Sequence, residues 1–164
     1  MKRVVVTSSY AAALNLGEGE FVDRTYTEAD WAPFTLESAT APGKDGGYIY
    51  SASKTLAEKA AWDYAKENKL ELVTILPPMI YGPPLQPVAE KARLNASSAA
   101  IYTLIDGDKG RPVPPNIWIH NVAVEDAALA HVRALERDEA NGHRFLIGGN
   151  TMLWEDVSQV ITKH

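Results

Sequence analysis

The stretch GGYIYSASKTLAEKAAWDYAKENKLELVTILPP, Gly46–Pro78, decides the fold. From Tyr48 to Asn68 helix formers dominate without a glycine or proline, which predicts one long helix. Leu56, Ala57, Ala60, Ala61, Tyr64 and Ala65 recur at helical spacing and are expected to face a core. Glu58, Lys59, Asp63, Lys66 and Glu67 are expected on the solvated side. The run from Leu70 then turns apolar and β-forming, and it stops at Pro77 and Pro78, which have no N–H to give a ladder.

Working outward, RVVVTSS (Arg3–Ser9) is a second β-branched run, of the kind buried inside a parallel sheet. Strand, excursion, helix and strand make a crossover unit, so the fold class is α/β with a parallel sheet. The excursion from Leu14 to Gly47 shows no periodicity and reads as a long surface loop with a short helix near Trp31–Ser38. After the proline-rich exit PPMIYGPPLQP (Pro77–Pro87), a helix is expected over Val88–Ile105 and a short strand in IWIHNV (Ile117–Val122). An amphipathic helix is expected over Val124–Glu139, closed by the Asn141–Gly142 turn. A strand in HRFLIGGN (His143–Asn150) and a helix from Trp154 complete the chain.

The totals narrow the function classes. In 164 residues the formal net charge is −5, which argues against nucleic acid or an anionic membrane as partner. Cysteine is absent, so there is neither a disulfide framework nor a thiolate metal site. No apolar run approaches the roughly 18 residues of a membrane span. A cytoplasmic location is the expectation. The four histidines do not pair with acids at ligand spacing on one helical face, so no metal is expected, and His131 reads as a packing residue.

One constellation can do chemistry. Tyr50 and Lys54 open the long helix four residues apart, a spacing that a solvated surface pair also adopts. Ser8 and Ser9 end the preceding strand, and LPPMIYGP (Leu76–Pro83) leaves the following one. In an open α/β sheet all three arrive at the carboxyl edge, where ligands bind. Reducing a carbonyl with hydride leaves an alkoxide that needs a proton. A tyrosine can supply it when a neighbouring ammonium favours the phenolate, and a serine hydroxyl can hold the carbonyl oxygen.

In this order VVVTSS, YSASK, LAEKAAWDYAKEN and LPPMIYGP resemble the extended short-chain dehydrogenase/reductases of the NAD-dependent epimerase/dehydratase superfamily. Within these, the chain is most similar to dihydroflavonol and cinnamoyl-CoA reductases and to fungal aldehyde, ketone and methylglyoxal reductases. The resemblance implies a Rossmann-like, doubly wound parallel sheet and NADP or NAD as cofactor, with NADPH favoured. It places catalysis on Ser9, Tyr50 and Lys54, the last also holding the nicotinamide ribose, and puts Pro77, Met79 and Ile80 against the nicotinamide. NASSAAIYTLI (Asn95–Ile105) resembles the substrate-side helix of the fungal enzymes, which makes Ser98 a substrate candidate, and EDAALAHVRALE resembles a further family helix. Tyr10 and Tyr81 flank the site as substrate-pocket candidates. The implied division is 1–84, the second half of a nucleotide-binding domain, and 85–164, a substrate lobe mixed with returning Rossmann elements.

No Gly-x-x-Gly-x-x-Gly loop follows a strand in this sequence. The resemblance therefore implies a C-terminal-half fragment, with the first strands upstream and the isolated chain inactive. The expected substrate is a small aldehyde, ketone or alcohol. The alternatives are a sugar-nucleotide epimerase or dehydratase, for which Lys91, Arg93 and Arg111 are modest support, and a catalytically inactive fragment that binds a partner or self-associates; a homo-oligomer would form through an exposed sheet edge or helices.

Overall fold

Residues Arg3–Thr7 (β1) and Glu71–Leu76 (β2) run parallel in the computed structural model, Val5 opposite Val73 and Thr7 opposite Ile75. The structure describes residues 3–15, 23–85, 87, 94–106, 108, 110–116 and 118–163. Arg144–Leu146 (β5) joins the other side of β2, also parallel, so the sheet order is β1-β2-β5. The α/β class and its parallel sheet are as expected. Met79–Tyr81 (β3) and Asn121–Ala123 (β4) form a separate parallel pair beyond the sheet's carboxyl edge. Residues 79–81 follow two prolines and by local pattern are plain exit from β2. Their pairing with a segment some forty residues downstream leaves no local pattern to detect.

Helix α2 spans Gly46–Asn68 and begins two residues before the expected start. Asp45 caps it, its Oδ1 accepting the Tyr48 N–H at 2.8 Å, which supports a first turn of poor intrinsic helix formers. Lys69 closes it in the left-handed conformation, its N–H directed to the Ala65 and Lys66 carbonyls. The burial of α2 differs from the expected face. Ser51, Ala52, Thr55, Glu58 and Ala65 are buried, whereas Ala57 and Ala60 are exposed and Tyr64 is 61% exposed. Small residues let α2 approach the sheet closely, and Glu58, assigned to solvent by its charge, finds partners inside.

The sheet is covered on both faces. Val73 and Ile75 pack with Ala134 and Ala140 of the segment after β4, where α4 spans Val124–Glu136. On the other face Thr74 bonds to α2, and Leu76 packs with Ala12 and Ala13. Each fully buried Val, Ile or Leu here is worth about 1.5–3 kcal/mol. Helix α4 ends at Glu136, short of the expected Glu139, with a 3₁₀ turn over Asp138–Ala140. Arg3 donates to the Ala134, Leu135 and Arg137 carbonyls and so satisfies that helix end.

The excursion is more than a surface loop. Ala32 and Phe34 are buried against Ala52, with Tyr48 edge-on to Phe34, and the short helix α1 (Leu36–Thr40) follows with a Thr35/Ser38 capping box. It begins five residues later than expected. Helix α3 runs only over Ala96–Ile105, because Asn95 caps it by accepting the Ser98 N–H at 3.0 Å. The rest of that expected helix, 88–93, lies outside the described residues, as do Lys91, Arg93 and Ile117. The terminal helix α5 is Trp154–Thr162. Among the described residues no helix is long and apolar enough to cross a membrane.

Candidate active site

Three parallel strands ending at one edge bring the exits of β1, β2 and β5 together with the first turns of α2. Backbone bonds fix the exits to one another. The Ser8 N–H donates to Ile75 O at 2.7 Å, Tyr10 N–H to Pro77 O at 3.0 Å and Ile147 N–H to Leu76 O at 3.2 Å. Pro77 and Pro78 bring no N–H of their own, so the ladder ends there and the chain turns away into β3.

Two clefts open on this edge. The larger, about 1120 Å³, is lined by aromatic and apolar groups including Tyr10, Tyr26, Met79, Tyr81, Trp118 and Trp154. The smaller, about 460 Å³, is lined by Lys54, Pro77, Ile80, Gly82, Ser98 and Val124 among others. Ser9, Tyr50, Pro78, Met79 and Ala96 line both and form the seam between them. The residues expected at the site therefore do converge. Tyr10 and Tyr81 stand on the larger cleft, and Lys54, Pro77 and Ile80 on the smaller. Ser98, expected on the substrate side, lies on the smaller cleft with Lys54.

Ser9 is held by the turn it starts. In extended conformation it caps the 3₁₀ turn Tyr10–Ala12, its Oγ accepting the Ala11 N–H at 3.2 Å. One acceptor position is thereby used, and the O–H is what the residue can offer a carbonyl oxygen. The Lys54 ammonium donates to the Thr7 carbonyl at 3.3 Å, which holds it at the end of β1. Tyr50 is half exposed, turned to the clefts rather than the core. Burial pushes the Tyr10 phenol above its usual value, helped by the nearby Glu28 charge, and burial does the same to Tyr81. Both phenols therefore stay protonated.

Some of the wall was not read from sequence. His120 tilts against Tyr10, ring centroids 6.0 Å apart. Trp118 sits at φ 60°, a strained conformation for so bulky a residue, and lines the larger cleft. His131 is hydrogen-bonded at both ring nitrogens. Its Nδ1 faces Ala127 O at 2.7 Å and so carries a proton, and Nε2 meets the Thr7 hydroxyl at 2.8 Å. Glu58 and Arg144 were also missed as partners. The signals were an acid four residues beyond Lys54 on α2 and an arginine within an apolar strand.

Known proteins share this architecture. A cinnamoyl-CoA reductase of Medicago truncatula is 41% identical over 90% of this chain and 41% of its own length. The NADPH-dependent methylglyoxal reductase of Saccharomyces cerevisiae is 30% identical over 99% of this chain and 48% of its own. The crystal structure of Gre2 from Candida albicans in complex with NADPH superposes with a TM-score of 0.86 at 30% identity, covering 99% of this chain and 48% of that one. The chain thus spans about half the length of the curated relatives it matches. Residues 25–148, which carry Tyr50, Lys54 and the β2 exit, match the model of the NAD dependent epimerase/dehydratase family, and the chain belongs to that family.

Proposed function

We propose that this chain carries the nicotinamide and substrate side of an NADPH-dependent reductase acting on a small aldehyde or ketone, or oxidising the corresponding alcohol. The observation that carries this reading is the seam. Tyr50 and Ser9 face both clefts, whereas Lys54 faces only the smaller one. The smaller cleft suits the nicotinamide end of the cofactor, with one ammonium, serine hydroxyls and a flat ridge of Pro77, Met79 and Ile80. This chain has no glycine loop for a pyrophosphate, so the activity proposed is that of a protein which also includes one.

When bound, NADPH supplies the hydride. Ser9 donates its O–H to the substrate carbonyl oxygen and holds it at the seam. Tyr50 gives its Oη proton to that oxygen as negative charge develops there, and solvent reprotonates the phenolate. Lys54 would hold the ribose of the cofactor, and its ammonium gives the phenolate a positive field. The aromatic wall of the larger cleft favours an apolar substrate body. A sugar nucleotide needs cations for its diphosphate, but among the described residues lining the larger cleft Arg24 is the one Lys or Arg, it is already paired with Asp30 at 2.7 Å, and Arg111 is not on the wall.

The test is NADPH oxidation by the full-length protein with a panel of aldehydes and ketones, wild type against Tyr50→Phe. Turnover is expected in the first and lost in the second by roughly a hundredfold or more. Undiminished turnover in Tyr50→Phe removes Tyr50 from the chemistry.

A further inference from the structure

Glu58 lies one helical turn beyond Lys54 and two beyond Tyr50, and it is 2% exposed. Its Oε2 accepts from Ser8 Oγ at 2.6 Å and from Arg144 Nη2 at 3.3 Å. Its Oε1 accepts from Thr74 Oγ1 at 2.7 Å, Arg144 Nε at 2.8 Å and Trp62 Nε1 at 3.4 Å. One carboxylate thus ties α2 to the end of β1, to β2 and to β5. Ser8 is the residue directly before Ser9.

Arg144 extends the connection. Its Nη1 donates to the Glu28 carbonyl at 2.7 Å and the Asp30 carbonyl at 2.6 Å, and its guanidinium lies 3.6 Å from the centroid of Trp31. Glu28 stands on the wall of the larger cleft. A buried ion pair is a poor way to gain stability, because desolvation offsets most of the attraction, and an apolar pair of the same size does as well. What such a pair adds is direction. Its fork fixes distance and angle where a packed methyl leaves slack.

We propose that Glu58, with Arg144, is a positioning residue: it sets Tyr50 and Lys54 against Ser9 through Ser8, and it holds the Glu28–Trp31 wall of the larger cleft through the guanidinium. The effect on turnover rests on the reductase reading above, whereas the effect on local order does not.

The test compares Glu58→Gln, Ser8→Ala and Arg144→Lys in the full chain, with Val73→Ala as a core variant on the opposite face of the sheet. Glu58→Gln keeps the shape but loses the charge that Arg144 needs. Ser8→Ala removes only the link to β1 and leaves the ion pair in place. Both are expected to speed amide hydrogen exchange in residues 8–13, and Glu58→Gln also in 27–34, by more than the general rise that lower stability gives the remaining amides. In the full-length protein kcat is expected to fall about ten- to a hundredfold in Glu58→Gln, with NADPH affinity within about threefold. Arg144→Lys, which keeps the charge but not the fork, should lose less than Glu58→Gln. Val73→Ala, though less stable, should keep kcat per folded molecule. An even rise in exchange across the chain overturns the proposal, as does unchanged exchange at 8–13 in Ser8→Ala. If wild-type protein reduces no carbonyl, the reductase reading fails and the exchange pattern alone decides the role of Glu58.

Discussion

Gly82 leaves β3 directly against the first residue of α4. A methyl group built there would overlap Val124 Cγ1 outright, and it would lie 3.1 Å from Val124 Cβ and 3.5 Å from its backbone nitrogen. Carbon–carbon contact is comfortable near 3.5–4.0 Å. Turning Val124 could clear Cγ1, but valine in a helix strongly prefers one χ1, and the Cβ contact would still be short by about 0.4 Å. Gly82→Ala must therefore push the start of α4 away from β3, straining the pairing of β3 with β4. Overpacking of this kind costs about 1–3 kcal/mol. Val124 is 38% exposed, so Val124→Ala alone should cost under about 1 kcal/mol. In the double variant the overlapping methyl is gone, and the two changes should couple favourably by about 1 kcal/mol or more. Urea unfolding of the four proteins at a common m-value measures the cycle. Additivity within about 0.5 kcal/mol would show that Val124 is not the obstacle, and the reasoning would fail. Both residues line the smaller cleft, so NADPH binding by the full-length protein should weaken in Gly82→Ala and recover in part in the double variant, which keeps the Cβ contact.

Two further outcomes follow from single groups. Asp45→Ala removes the cap of α2 and should lower stability by about 1 kcal/mol, whereas Asp45→Asn keeps the acceptor and should change little; thermal unfolding distinguishes them. The second concerns pH. Burial alone would raise the Glu58 carboxyl, but the bonds from Arg144, Ser8 and Thr74 outweigh it and hold the group below the ordinary carboxylate range. A depressed folded value means stability that is fully present above the unfolded value, about 4.3, and lost as pH falls through the lower folded one. The stability gap between wild type and Glu58→Gln should therefore be level near neutrality and shrink below about pH 4.3. A gap that stays constant into acid would show that Glu58 is not ionised in the fold.

Much of the site was legible because its signals are local. Helix α2 shows in an unbroken run of helix formers, β1 and β2 show in β-branched runs, and the crossover between them demands a parallel sheet. That topology sends Ser9, Tyr50, Lys54 and Pro77 to one edge before any distance is known. The short elements were not legible in this way. Strand β3 is three residues after two prolines and exists through its pairing with Asn121–Ala123. Asn95 reads as one more residue of a helix until its side chain is seen capping Ser98.

What the sequence by itself determined is therefore the α/β frame and the identity of the groups at its carboxyl edge, since period, propensity and strand polarity act over a few neighbouring residues. What only the tertiary structure decided is which of the remaining groups are inside. Glu58 carries a charge that local pattern assigns to water, and its burial depends on Ser8, Thr74 and Arg144, the last eighty-six positions along the chain. The two clefts likewise take their walls from segments distant in sequence. Burial of a polar group is settled by the partners that three-dimensional packing brings to it, and those partners leave no mark near it in the chain.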